Sequence, residues 1–170
     1  MHKDDPPAPA DLLAALGSER DAYRQLLALT TRERDVLQQG DLVAVASIVR
    51  DKKAMMSPLA HHAATRTRSA AMLAEGLGLP GDSGLPDVIA HLDDASAGEL
   101  QRVRLECIGI VEHLQTLNRG NDGLIHARLD RVEATLEFLS RSATTCDGHY
   151  TLSGATHALP STGNVLNWQI

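Results

Sequence analysis

Aromatic residues are scarce in this sequence: one tryptophan, one phenylalanine and two tyrosines among 170 residues. A rounded core of that size is ordinarily filled in part by buried rings, whereas a coiled coil is filled by Leu, Ile, Val and Ala. The shortage therefore favours a narrow helical bundle. The signatures of catalysis are missing too. No glycine-rich phosphate loop, nucleophile elbow or Cys-x-x-Cys pair is present, so the chain is read as no enzyme and as holding no cofactor. Cysteine is limited to Cys107, on an apolar stripe, and Cys146, in a polar segment, which suits a reducing compartment better than a disulfide. No run is long enough for a membrane helix, and the first ten residues lack the apolar core of a signal peptide, so the expected location is cytoplasmic. Basic residues are scattered and the net charge is −6, which argues against nucleic acid or an anionic membrane as partner. The eight histidines raise a metal question. Adjacent His61 and His62 point about 100° apart on a helix, and inward-facing Glu-x-x-His pairs are absent, so no metal site is expected.

What the chain does have is helical periodicity. Ser96 and Glu99 form a capping-box pattern that predicts a helix start. Behind it run Leu100, Val103, Cys107, Ile110, Leu114 and Leu117 in alternating steps of three and four, the spacing of a coiled-coil seam. The pattern resumes at Ile125, Leu129, Val132, Leu136 and Leu139. Between the two runs an extra four-residue step at 117, 121 and 125 makes a stutter, which locally unwinds a supercoil. An unbroken helix over 96–141 would be roughly 65–70 Å long, so its partner helices are expected to be long as well.

Ahead of that helix, residues 1–10 are proline-rich and charged, and are expected to be disordered. Asp11 starts a helix to about Gln39 with the stripe Leu12, Leu16, Glu19, Tyr23, Leu26, Thr30, Glu33 and Leu37, which Glu19 and Glu33 interrupt. Gly40-Asp41 combines a helix stop with a helix cap and predicts an antiparallel hairpin. The second helix, 41–76, carries Leu42, Val45, Val49, Met56, Leu59, Ala63, Ala70 and Leu73, with Pro58 expected to kink or offset it. Residues 76–86 read as a loop, and 87–92 leave room for at most two helical turns.

The expected fold is all-α: an elongated antiparallel helical hairpin or three-helix coiled-coil bundle over 11–142, with helices at about 11–39, 41–76 and 96–141. A flexible C-terminal tail, 143–170, follows. The tail spaces Tyr150, Leu152, Leu159, Val165, Leu166, Trp168 and Ile170 through a polar background, the composition of a segment that folds onto a partner. Asn118 and Asn121 share a face at the stutter, with Gly120 and Gly123 close by. Two readings stay open for them: buried asparagines that fix register, or a polar break that receives a partner.

Leu117-Asn-Arg-Gly-Asn-Asp-Gly-Leu-Ile125, then a leucine-spaced helix, then Tyr150-x-x-x-Gly154, resembles the C-terminal half of FlgN-type flagellar export chaperones. The N-terminal half is similar in Glu19, Tyr23, Leu26-Leu27, Glu33, Leu37, Gly40-Asp41, a lysine at 52–53 and an arginine at Arg66 or Arg68. The resemblance covers residues 11 to about 155. It departs at Pro58 and in the last residues, Asn164-Val-Leu-Asn-Trp-Gln-Ile170. It implies a cytosolic chaperone that binds the terminal helices of hook-associated (hook–filament junction) proteins and delivers them unpolymerised to the flagellar type III export apparatus. It points to the later part of the long helix and to the tail around Tyr150 and Leu152 for partner binding, and the residues singled out are Asn118, Asn121, Leu124 and Ile125 on the long helix, with the tail anchors from Tyr150 to Ile170. The alternative is a structural coiled-coil protein that only oligomerises, and weak self-association is compatible with either.

Overall fold

The computed structural model describes residues 9–145, the last three by backbone alone. They form four helices and, among the described residues, no strand: α1 (Pro9–Gln39), α2 (Leu42–Gly76), α3 (Leu85–Ala90) and α4 (Asp94–Thr145). The architecture is an all-α helical bundle. The chain divides into two compact units, Met1–Ile125 and His126–Ile170. The tail anchors from Tyr150 onward, and residues 1–8 of the 1–10 segment expected to be disordered, lie outside the described residues, while Pro9 and Ala10 open α1.

Local chemistry fixes the end of α1 and both ends of α2. Gly40 takes φ 80°, and its N–H and that of Asp41 both donate to the Val36 carbonyl, at 2.9 and 3.2 Å. Glycine adopts that left-handed backbone at little cost, which ends α1. One residue on, the Asp41 carboxylate accepts from the Ala44 amide at 2.9 Å and starts α2. So short a link forces α1 and α2 into an antiparallel hairpin. At the far end of α2, Gly78 (φ 71°) repeats the stop, with the Leu79 N–H on the Ala74 carbonyl at 2.9 Å and the Leu79 side chain packed against the core.

The start of α4 corrects the capping-box expectation. The cap is Asp93, whose carboxylate accepts from the Ala95 and Ser96 amides at 3.1 and 3.0 Å, so Ser96 already lies inside the first turn. A carboxylate accepts both orphan amides and also faces the positive helix end, which a serine hydroxyl does more weakly. Hydrogen bonds from Ser96 hold the Asp93 carboxyl below its ordinary pKa.

The register of α2 is a second correction. The apolar-only reading placed Leu42, Val49 and Met56 on the seam, but all three are exposed, while Ile48 is buried and Val45, Met55 and Leu59 are half-buried. The true heptad line passes through Lys52 and Arg66, positions a hydrophobicity pattern skips. α2 continues through Pro58, where the Ala54 carbonyl has no proline N–H to accept from.

One end of the first unit holds the apolar core, with Leu12 and Leu16 of α1, Leu73 of α2, Val88 of α3, and Leu100 and Val103 of α4. Hydrogen-bonded pairs set the directions. Glu106 of α4 meets Arg20 and Arg24 of α1, and Asn121 meets Thr30 and Glu33, so α4 advances with α1 and runs against α2. The partner helices are long, as expected, at 31 residues in α1 and 35 in α2, though both are shorter than the 52-residue α4.

Candidate functional site

The two glutamates that interrupt the α1 stripe are buried and paired. Glu19 binds the Arg66 guanidinium at 2.6 Å, and Glu33 binds the Lys52 ammonium at 2.8 Å. Glu19 and Glu33 are two heptads apart on α1, and Lys52 and Arg66 two heptads apart on α2, so both pairs form in a single antiparallel register. A one-heptad slip would leave buried carboxylates facing apolar side chains, at a cost of several kcal/mol each. These layers specify alignment more than they add stability.

Asn121 completes the Glu33 layer. Its amide nitrogen donates to the Thr30 carbonyl at 3.1 Å and to the Glu33 carboxylate at 2.9 Å. Both neighbours are acceptors, so the nitrogen must face them, and the Asn121 Oδ1 is left buried without a partner. Asn118, exposed at the edge of the same layer, accepts from Lys52 at 3.3 Å. With 2% of its surface exposed, Asn121 sits in the arrangement of a register-fixing asparagine.

The Glu19 layer opens onto a groove of about 370 Å³, lined in part by Leu16, Tyr23, Arg66, Leu85, Cys107 and Ile108. The Tyr23 hydroxyl donates to Glu19 at 3.2 Å. Burial, then the nearby Glu19 charge, pushes the Tyr23 hydroxyl and the Cys107 thiol above their ordinary pKa values. Both therefore stay protonated near neutral pH, so neither is an activated nucleophile. Among the described residues no cluster of His, Cys, Asp and Glu is placed to hold a metal ion, and the His61 and His62 rings meet edge-on with centroids 6.0 Å apart.

The feature that invites a partner lies in the second unit. Leu129, Val132, Leu136 and Leu139 continue the seam spacing, and every one is more than half exposed, as is Phe138. Apolar side chains repeated at that spacing form a continuous stripe, and such a stripe in water marks an interaction surface. Of the sequence-expected site residues on α4, Asn118 and Ile125 are exposed and Leu124 is half-buried, whereas Asn121 is buried. The residues missing from that expectation are Leu129 to Leu139, which were read as one more stretch of seam. The signal was in the helix lengths, since helices of 31 and 35 residues cannot line all of a 52-residue one.

The model of the FlgN protein family matches residues 1–158. No curated protein and no solved structure matches the chain.

Proposed function

Because this chain belongs to the FlgN family, a family of flagellar export chaperones, we propose that it binds the terminal helices of hook-associated proteins and hands them, unpolymerised, to the flagellar type III export apparatus in the cytoplasm. The observation that carries this reading is the exposed seam Leu129–Leu139 on α4. A helix removed from its polymer exposes an apolar stripe that self-associates, and a matching stripe masks it by packing as one more helix. Fully burying a large apolar side chain returns about 1.5–3 kcal/mol, so the seam and the matching apolar residues of the client together offset the cost of ordering the client helix. Asn118, Leu124 and Ile125 of the first unit add contacts of their own. Tyr150, Leu152, Leu159, Val165, Leu166, Trp168 and Ile170 add contacts from the tail. Asn121 fixes the register of the helix that carries the site.

The test is titration of a terminal-helix fragment of a hook-associated protein into the full chain, a Leu129→Asp/Leu136→Asp variant and a chain ending at residue 145. Helicity is checked for all three. At least hundredfold weaker binding by the seam variant and clear weakening by the truncation are expected. Unchanged affinity in the seam variant would remove α4 as the site. Failure of the intact chain to bind any such fragment, together with concentration-dependent self-assembly, would favour a purely oligomerising protein.

A further inference from the structure

We propose that the outer shoulder of α2 is a second docking surface, and that its occupant is an acidic amphipathic helix of another protein. The shoulder lies wholly in the first unit, and its assignment does not rest on the exposed seam of α4.

The shoulder is made of the residues that the apolar pattern put on the seam and the structure leaves outside it. Leu42, Val49 and Met56 are 71%, 48% and 46% exposed, and they recur at steps of seven. At about 100° per residue they fall within about 40° of one another, roughly 100° round the helix from the buried Ile48. Ala46 and Ala60, both exposed, continue the strip without blocking it. Single exposed apolar residues are ordinary, but three large ones along one line form a surface that wants a cover.

The spacing selects a helix as that cover. Seven residues of α2 advance about 10.5 Å, and a helix laid alongside repeats its own contact position at the same interval. An extended strand shows the same face about every 6.7 Å, which falls out of step with the line after one contact.

Charge selects the sign. α2 carries five basic residues against two acidic ones, on a chain whose net charge is −6. Lys52 and Arg66 are taken up by Glu33 and Glu19 inside the bundle. Arg50, Lys53 and Arg68 are exposed, and among the described residues none of the three is in an ion pair. Lys53 falls between Val49 and Met56 along the helix axis, and Arg50 lies one turn back on its outer side. Asp51 is about 200° round the helix from Val49. The Asp41 carboxylate, at the Leu42 end, accepts from the Ala44 amide. The strip is therefore bordered by positive charge, and a helix with Glu or Asp beside its apolar stripe matches both features at once. A lipid surface fits less well. A strip of three large side chains is much narrower than the apolar face of a helix that lies in a membrane interface, and the chain as a whole is acidic.

Two fluorescent three-heptad peptides with the same leucine stripe test this, one flanked by glutamates and one by lysines. Each is titrated into the full chain and into the Leu129→Asp/Leu136→Asp variant, whose spoiled α4 seam leaves the shoulder as the site under test. In that variant the glutamate peptide should bind at least about tenfold more tightly than the lysine peptide, with the gap narrowing as salt rises to about 0.5 M. Adding Arg50→Glu/Lys53→Glu should invert the preference. Adding Val49→Ser/Met56→Ser instead should abolish binding while helicity is kept, and the charge reversal decides alone if helicity is lost. Equal affinities, no binding of either peptide, or a preference unchanged by charge reversal would overturn the proposal. Binding to vesicles of neutral and anionic phospholipid that Val49→Ser/Met56→Ser removes would overturn it in favour of a lipid surface. Dimerisation removed by the same change would overturn it in favour of a second copy of this chain.

Discussion

Between Leu100 and Asn121, α4 lays down an apolar seam and buries it; between Leu129 and Leu139 it repeats the same spacing and leaves the seam in water. One heptad grammar thus serves two ends. In the first unit Leu100, Val103, Cys107, Leu114 and Leu117 are all buried. In the second, residues of the same type and spacing are more than half exposed. Periodicity tells which face of a helix wants a partner, and it is silent on whether the chain supplies one. A second contrast sharpens the first. The buried seam is interrupted by polar layers that fix alignment, while the exposed one, from Leu129 to Leu139, has only apolar residues at its seam positions.

The largest expected effect separates the two seams directly. Leu100→Ala removes a fully buried side chain and should cost about 2–5 kcal/mol. Leu136→Ala, on the exposed seam, should change stability by less than about 0.5 kcal/mol while weakening client capture. Chemical denaturation followed by helicity measures both. A cost above about 1.5 kcal/mol for Leu136→Ala would mean that the second seam is already covered in the free protein.

Next come the polar layers. Lys52→Met leaves Glu33 largely buried with only Asn121 as a donor, and should destabilise by roughly 1–3 kcal/mol, discounted because Lys52 is itself part-exposed. Replacing the layer as a unit, with Glu33→Leu, Lys52→Met and Asn121→Leu together, should recover that loss, since no buried polar atom of the three remains. Recovery should bring looser register, read as extra amide resonances along α1 and α2. A triple variant less stable than Lys52→Met alone would show that the layer stabilises the bundle rather than aligning it.

Much of this was legible in the residues. The hairpin was readable because Gly40-Asp41 holds both a helix stop and a helix cap, and the α4 seam because its spacing survives in every buried position from Leu100 to Leu117. The α2 register was not readable from hydrophobicity, because its seam runs through Lys52 and Arg66 and becomes visible only when they are matched to Glu33 and Glu19. The glutamates themselves were the available signal. A charge at a seam position implies an opposite charge at the same level of the facing helix. The α4 start was misplaced because two N-cap candidates, Asp93 and Ser96, lie three residues apart, and only the amide geometry separates them. The exposed seam looked like more core because sequence spacing carries no count of partners.

A smaller effect should appear at alkaline pH, again confined to the first unit. Burial holds the Cys107 thiol and the Tyr23 hydroxyl above their ordinary values. The folded state therefore keeps protons that the unfolded chain releases. Their contribution to stability is full below the unfolded thiol value, about pH 8.5, and is lost as pH rises through the raised folded values. The denaturation midpoint should fall between about pH 8.5 and 11, and Cys107→Ala/Tyr23→Phe should flatten the decline. In a Cys146→Ser background Cys107 should react with a thiol reagent far more slowly folded than unfolded. An equally steep alkaline decline in the double variant would assign it to other groups.

The smallest effect concerns the two glycines that flank Asn121, near the boundary between the two seams. Glycine inside a helix costs roughly 1 kcal/mol relative to alanine. A Cβ at Gly123 would meet nothing within 4 Å, so Gly123→Ala should stabilise by roughly 0.5–1 kcal/mol. At Gly120 the added carbon would lie 2.9 Å from the Arg34 guanidinium nitrogen, the far end of a long side chain that must move aside, so Gly120→Ala should gain less. Neither change touches Leu129 to Leu139. If the glycines serve only to admit Arg34 and the Asn121 layer, client affinity should be the same in both variants. A stabilised Gly123→Ala protein that captures its client several-fold more weakly would instead show that α4 has to give at this point when the exposed seam is filled. Calorimetry of the free variants, paired with titration of the same client fragment, separates the two outcomes.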